Sequence, residues 1–218
     1  MDVNGIFNPQ NRFWSFMEKI MNLCALSLLW LLFSIPILTA GASTVAMFQY
    51  TLKLSRDEEG YVWKTFIRGF LKNFIQATIL WLILAAALLF LSFDLYCCQF
   101  ITFSAGARWG ARILILSLIL LTLMAGLYLF PLTAFFHTTV RRALVHSFIM
   151  AVGNLYVTVT IMVIYAAGAV MTYFIPPLFM VWFTFASYGA SHLFGFVFRR
   201  YIQNDSQNPD LGADIVKK

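Results

Sequence analysis

Charge is what this sequence has least of. Only 11% of its 218 residues are Asp, Glu, Lys or Arg, less than half the ~25% of an ordinary soluble domain. So few ions cannot keep a folded surface of this size in water, so an ordinary soluble enzyme and a disordered chain are both excluded. Cysteine is also scarce, with three in all. Cys24 falls in an apolar run and Cys97-Cys98 are neighbours that cannot bridge each other without strain, so no disulfide framework exists. What remains is apolar: 61% hydrophobic residues and a mean hydropathy of +0.80. The class is a membrane protein.

The uncharged runs set the architecture. Ile20–Leu52 holds 33 residues without a charge, Asn73–Phe93 holds 21, Ile113–Val140 holds 28 and Ala143–Phe198 holds 56. A helix needs about 20 apolar residues to cross a ~30 Å hydrocarbon core. The first three runs therefore predict one span each and the last predicts two. The expected spans are 21–38, 74–93, 113–136, 147–172 and 177–198. Pro36 and the small residues after it end the first, and Asp94 ends the second at an interface. Pro131 kinks the third without stopping it, and Pro176-Pro177 forms the turn between the last two. Ala40-Gly41-Ala42 resembles a leader-cleavage site, but no basic cluster precedes the first run, so that run reads as a retained span. The fold class expected is all-α: one helical membrane domain over 1–200, a bundle of about five transmembrane helices, then a flexible cytoplasmic tail over 203–218.

Fifteen basic residues against nine acidic ones give +6, and these bases are first a topology signal. Eleven of them fall between spans one and two, between three and four, or after five; Arg12, Lys19, Arg108 and Arg112 fall on the other side. The positive-inside rule then puts the N-terminus outside and the C-terminus in the cytoplasm of a plasma-membrane protein. No base is left over to call for nucleic acid.

Between spans one and two, Glu58, Glu59 and Tyr61 precede Lys64, Arg68 and Lys72. The last three recur every four residues, so on a helix they form one stripe. Trp63, Phe66, Ile67, Phe70 and Phe74 are expected on the opposite side. That pattern fits an amphipathic helix on the anionic inner leaflet, or a docking face for a membrane partner. Within the bilayer, Asn154, Thr158, Tyr165 and Thr172 follow intervals of four and seven and form a candidate polar seam. Ser187, Ser191 and Gly195 repeat every four residues, a small-residue face for close helix packing.

Enzyme signatures are lacking. No H-E-x-x-H or G-K-[ST] motif occurs, Ser191 and His192 are adjacent on one helix and point apart, and Asp94 has no local acid–base partner. His137 and His146 flank Arg141-Arg142 with no carboxylate or thiol placed as a further ligand, and His192 stands alone, so neither a metal nor a cofactor is expected.

The run Glu58-Glu59-Gly60-Tyr61, then Phe66, Phe70, Lys72-Asn73-Phe74, Gln76-Ala77-Thr78 and Leu80-Trp81, resembles the YesL-like family of bacterial membrane proteins. Leu31-Leu32-Phe33-Ser34-Ile35-Pro36 and Tyr128-Leu129-Phe130-Pro131-Leu132 fit the same pattern. The likeness runs over about residues 10 to 200. His137 and His146 depart from it mildly. The family is a domain of unknown function, so no catalytic residue carries over. Its members are often encoded beside sugar-uptake and polysaccharide-degradation genes, and the resemblance implies an accessory role in carbohydrate uptake, with a sugar permease as partner. The competing expectation is a small-solute transporter using the polar seam as a homo-oligomer, because five helices enclose little volume.

Overall fold

The computed structural model describes residues 12–58, 60–98, 100, 105–136, 138–174 and 178–207. Seven α-helices follow one another: α1 Arg12–Ser34, α2 Ala40–Leu54, α3 Val62–Cys97, α4 Ala105–Phe135, α5 Val140–Gly153, α6 Leu155–Phe174 and α7 Leu178–Gln207. A 3-10 turn, Ile37–Thr39, joins the first two. Among the described residues there is no strand, and the all-α reading holds. Among the described residues, four helical stretches are long and apolar enough to cross a membrane: Phe16–Ser34, Val62–Cys97, Gly106–Phe135 and Leu155–Phe174. At 30 residues α7 has the length too. Thr184, Ser187 and Ser191 dilute its apolar content, and all three are buried against protein rather than facing outward.

The first uncharged run holds two helices, not the single span 21–38. Pro36 cannot continue the hydrogen-bond ladder, and α1 ends at Ser34. Of the small run Thr39 to Ser43, expected to be a helix break, Ala40 to Ser43 instead open α2. They are what allow that helix to be packed on every side: of its 15 residues, Gly41 to Phe48, Tyr50 to Leu52 and Leu54 are buried. Reciprocal glycines set it against α3. A methyl group at Gly41 would meet Trp81 and the Ala77 carbonyl, and one at Gly69 would meet Gln49. Small residues at such crossings let helix backbones approach closely.

α1 and α2 are antiparallel. Trp30 Nε1 donates to Thr44 Oγ1 at 3.2 Å, Ser34 pairs with Ser43 near the turn, and Lys19 Nζ contacts Asp57 Oδ1 at 2.6 Å beyond the far end of α2. The start of α1 therefore lies at the same end of the bundle as the basic segment after α2. The return helix α2, unforeseen from the sequence, brings the chain back, so Lys19 and the basic segment, expected on opposite sides, share one end.

α3, 36 residues long, leads away from that end and α4 returns. α4 runs unbroken through Pro131. Phe135, at its close, lies 5.1 Å from the Phe198 ring of α7 and carries the Arg56 guanidinium 4.4 Å from its centroid. The expected span 147–172 is interrupted. Asn154 leaves the helical region at φ −126°, ψ 53° and divides α5 from α6, since Gly153 and Asn154 are both weak helix formers. α7 continues past Arg199-Arg200 to Gln207, so residues 203–207 are helical where a tail was expected; 208–218 and Pro176-Pro177 lie outside the described residues.

Candidate functional site

The cytoplasmic-segment residues fall into two neighbouring surfaces. On α3, Lys64, Arg68 and Lys72 form an exposed stripe, as their spacing predicts. The apolar side chains beside them differ from expectation. Phe66 and Phe70 are buried, with Phe33 of α1 at 5.5 and 5.0 Å between ring centroids. Trp63, Ile67 and Leu71 share a shallow groove of about 860 Å³ with the three bases. The helix thus has two apolar faces, one filling the bundle and one interleaved with charge. Sequence spacing reveals the period but not which aromatic neighbour α1 covers.

The second surface is a cleft of about 740 Å³ between the start of α1, the end of α2 and the following turn, lined in part by Glu18, Lys19, Tyr50, Asp57, Glu58 and Tyr61. Asp57 turns the chain in the left-handed region, at φ 55°, a conformation Asp tolerates better than most residues. The Lys19 ammonium that hydrogen-bonds it holds its carboxyl below the usual carboxylate range. Glu58 lies 3.8 Å from Arg56, and Tyr61 is 83% exposed. Glu59 lies outside the described residues. Glu18 and Tyr50 were missed from sequence because nothing local marks them; only the α1–α2 return brings them to Asp57 and Glu58.

The seam residues lie along one course but make internal bonds. Asn154 Nδ2 donates to the Met150 carbonyl at 3.2 Å and reaches the Tyr201 hydroxyl at 3.4 Å. Thr158, fully buried, bonds the Ala151 and Asn154 carbonyls and the Tyr128 hydroxyl. The Tyr165 hydroxyl pairs with Ser187 Oγ at 2.8 Å, and Thr172 Oγ1 donates to the Gly168 carbonyl. Of the small-residue face, Ser191 reaches Thr51 of α2 at 2.8 Å and Ser187 holds Tyr165, while Gly195 has open space around it. The tight glycine of this region is Gly168, which faces Trp182 of α7; an isolated glycine in an apolar helix gave no pattern to find it by. His192 is exposed, its ring 5.0 Å from Tyr188; His137 lies outside the described residues. Among the described residues no three His, Cys, Asp or Glu side chains group as metal ligands, and Cys24, Cys97 and Cys98 are free thiols.

Long apolar helices with outward-facing Leu, Ile and Phe, around a core of large apolar side chains interspersed with buried Ser and Thr, define an all-α polytopic membrane protein. Residues 23–95 match the family model described as "Protein of unknown function, DUF624", a stretch that contains α2, the acidic turn and nearly all of α3. Over 175 residues, 77% of each chain, the sequence is 29% identical to "Uncharacterized protein YesL" of Bacillus subtilis (strain 168). Both likenesses are to the YesL-like family. No solved structure matches it.

Proposed function

We propose that this protein is a non-enzymatic accessory component of the bacterial plasma membrane that serves carbohydrate uptake by holding a sugar permease at its cytoplasmic face. The observation that carries the reading is the paired surface at one end of the bundle. The α3 stripe of Lys64, Arg68 and Lys72, interleaved with Trp63, Ile67 and Leu71, suits the anionic headgroups of the inner leaflet. The cleft beside it, with Glu18, Glu58 and Tyr61, offers carboxylates and an exposed aromatic ring to a basic partner segment. The end that carries these residues is taken as cytoplasmic, because the opposite ends of α3 and α4 bear only Arg108 and Arg112 and basic residues favour the inner side. The start of α1 and the end of α7 then belong to the cytoplasmic side. Purification in mild detergent from cells grown on polysaccharide tests the reading. A permease subunit is expected with the parent and lost with Glu58→Lys plus Tyr61→Ala; a solitary parent protein, or equal retention by the variant, refutes it. Transport by a homo-oligomer through the Asn154–Thr172 seam is the weaker alternative, since those hydroxyls bond within the bundle. Proteoliposome uptake abolished by Asn154→Leu would favour it.

A further inference from the structure

We infer that the α1–α2 hairpin is re-entrant: it dips into the bilayer from the side that holds the basic segment, turns within the hydrocarbon and returns, with lipid acyl chains as the partner of its exposed tip. Three independent observations carry this.

The first is depth, for which α3 is the ruler. Lys72 and Asp94 bound its charge-free stretch. Their 22-residue separation is ~33 Å at ~1.5 Å per residue, about the thickness of the hydrocarbon core. The hairpin tip is registered on α3 by Trp81, whose indole Nε1 donates to the Ile37 carbonyl at 3.0 Å, and by Gly41 against Ala77 and Trp81. Trp81 is nine residues from Lys72 and thirteen from Asp94, so the tip stands ~13 Å inside one boundary and ~20 Å short of the other. Helix α2, with 15 residues, is ~22 Å long and cannot cross ~30 Å. Raising the hairpin to the far surface would draw Lys72 and Arg68 into the hydrocarbon, at about 2.5–3.5 kcal/mol for each base at mid-bilayer.

The second is the chemistry of the tip. Outward it presents Ile35, Ile37 and Leu38, 70%, 76% and 60% exposed. Inward, three of the carbonyls at the turn are satisfied: Thr39 Oγ1 donates to those of Phe33 and Pro36 at 2.7 and 2.8 Å, and the Thr39 amide donates to Pro36. Ile37 accepts from Trp81 and from the Ala40 amide. A turn in water has no need of such closure, whereas irregular backbone in hydrocarbon cannot persist without it. Pro36 adds no amide to satisfy.

The third is the closing ion pair. Lys19 and Asp57, 2.6 Å apart, hold the hairpin's two free ends on one side.

The test uses the full chain with Cys24, Cys97 and Cys98 replaced by Ser, reconstituted in sealed vesicles, with single cysteines at Met17, Ile37, Leu38, Tyr61 and Phe100. Met17→Cys and Tyr61→Cys are expected to react with a membrane-impermeant maleimide from one and the same side, and Phe100→Cys from the other. A fluorophore on Ile37→Cys, with Leu38→Cys as the duplicate, is expected to be quenched more by bromines deep in the acyl chains than by bromines near the headgroups. Labelling of Met17 and Tyr61 from opposite sides, or ready aqueous labelling of both tip cysteines, overturns the hairpin. If Met17 and Tyr61 share the extracellular side, the hairpin stands and the cytoplasmic docking face proposed above falls.

Discussion

Replacing Gly41 by Ala should destabilise the bundle, although alanine is the better helix former. The added methyl would sit 2.7 Å from the Ala77 carbonyl oxygen and closer still to Trp81 Cβ. Neither neighbour is the free end of a flexible chain: one is helix backbone and the other is the root of an indole held by its bond to Ile37. The α2 and α3 axes must therefore separate. Overpacking of this kind costs about 1–3 kcal/mol, while the gain from propensity is at most ~1 kcal/mol. Set against the full propensity gain, a net loss of up to about 2 kcal/mol remains, as much as a thirty-fold shift towards the unfolded state. Gly110→Ala is the control, because a methyl at Gly110 meets nothing within 4 Å, and it should be neutral or slightly stabilising. Thermal unfolding of both variants in one detergent, followed by near-ultraviolet signal, separates the cases. Equal midpoints for Gly41→Ala and Gly110→Ala would refute the close crossing and, with it, the registration of the hairpin on α3.

Other outcomes follow from the same contacts. Trp81→Phe keeps an aromatic ring but removes one donor to the Ile37 carbonyl; up to about 1–3 kcal/mol is at stake, and the retained Ala40 amide should hold the loss near the lower end. A wild-type midpoint would mean that the indole bond contributes nothing. Phe66→Ala should cost about 3–5 kcal/mol, the full amount for a buried ring, because Phe66 lies six residues beyond Lys72, outside the hydrocarbon, where water still drives burial. Asp57 titrates below the usual carboxylate range because of Lys19, so its support of the fold is present above pH ~4 and is lost as pH falls through the lowered value. Asp57→Asn, which keeps a residue tolerant of positive φ, should therefore weaken the fold at pH 6, and its difference from the parent should shrink as pH falls through the lowered value. A difference independent of pH would remove the ion pair from the account.

Much of the fold was legible in absences of charge, since hydrocarbon admits few other patterns. The end of the α3 span near Asp94 followed from charge positions alone, but α3 starts at Val62 and α4 at Ala105, ahead of the expected 74 and 113, and the expected interfacial helix is the first part of α3. Two features were not legible, for a common reason. The run 20–52 is as apolar as a single long span, and nothing in its composition tells lipid-facing Leu32 from protein-facing Leu52. Thr39 to Ser43 read as a break because small residues serve both turns and tight helix crossings; only the presence of Trp81 opposite Gly41 decides between them. The basic stripe was predictable from its four-residue repeat, because exposed long side chains keep helical period. The fate of Phe66 and Phe70 depended on Phe33, distant in sequence. Asn154 shared the spacing of a continuous helix yet, next to Gly153, became its interruption.

The enclosure of α2 has a consequence for how the molecule is made. Thr51 finds its partner in Ser191 and Met47 packs at Thr184, so the shelter of the second helix is completed by one synthesised more than a hundred residues later. Until α7 is made, Thr51 lacks that partner, whereas Ser43 and Thr44 already have theirs in Ser34 and Trp30 of α1. Chains that stop before residue 178 would leave that side of α2 uncovered to the cell's quality-control proteases.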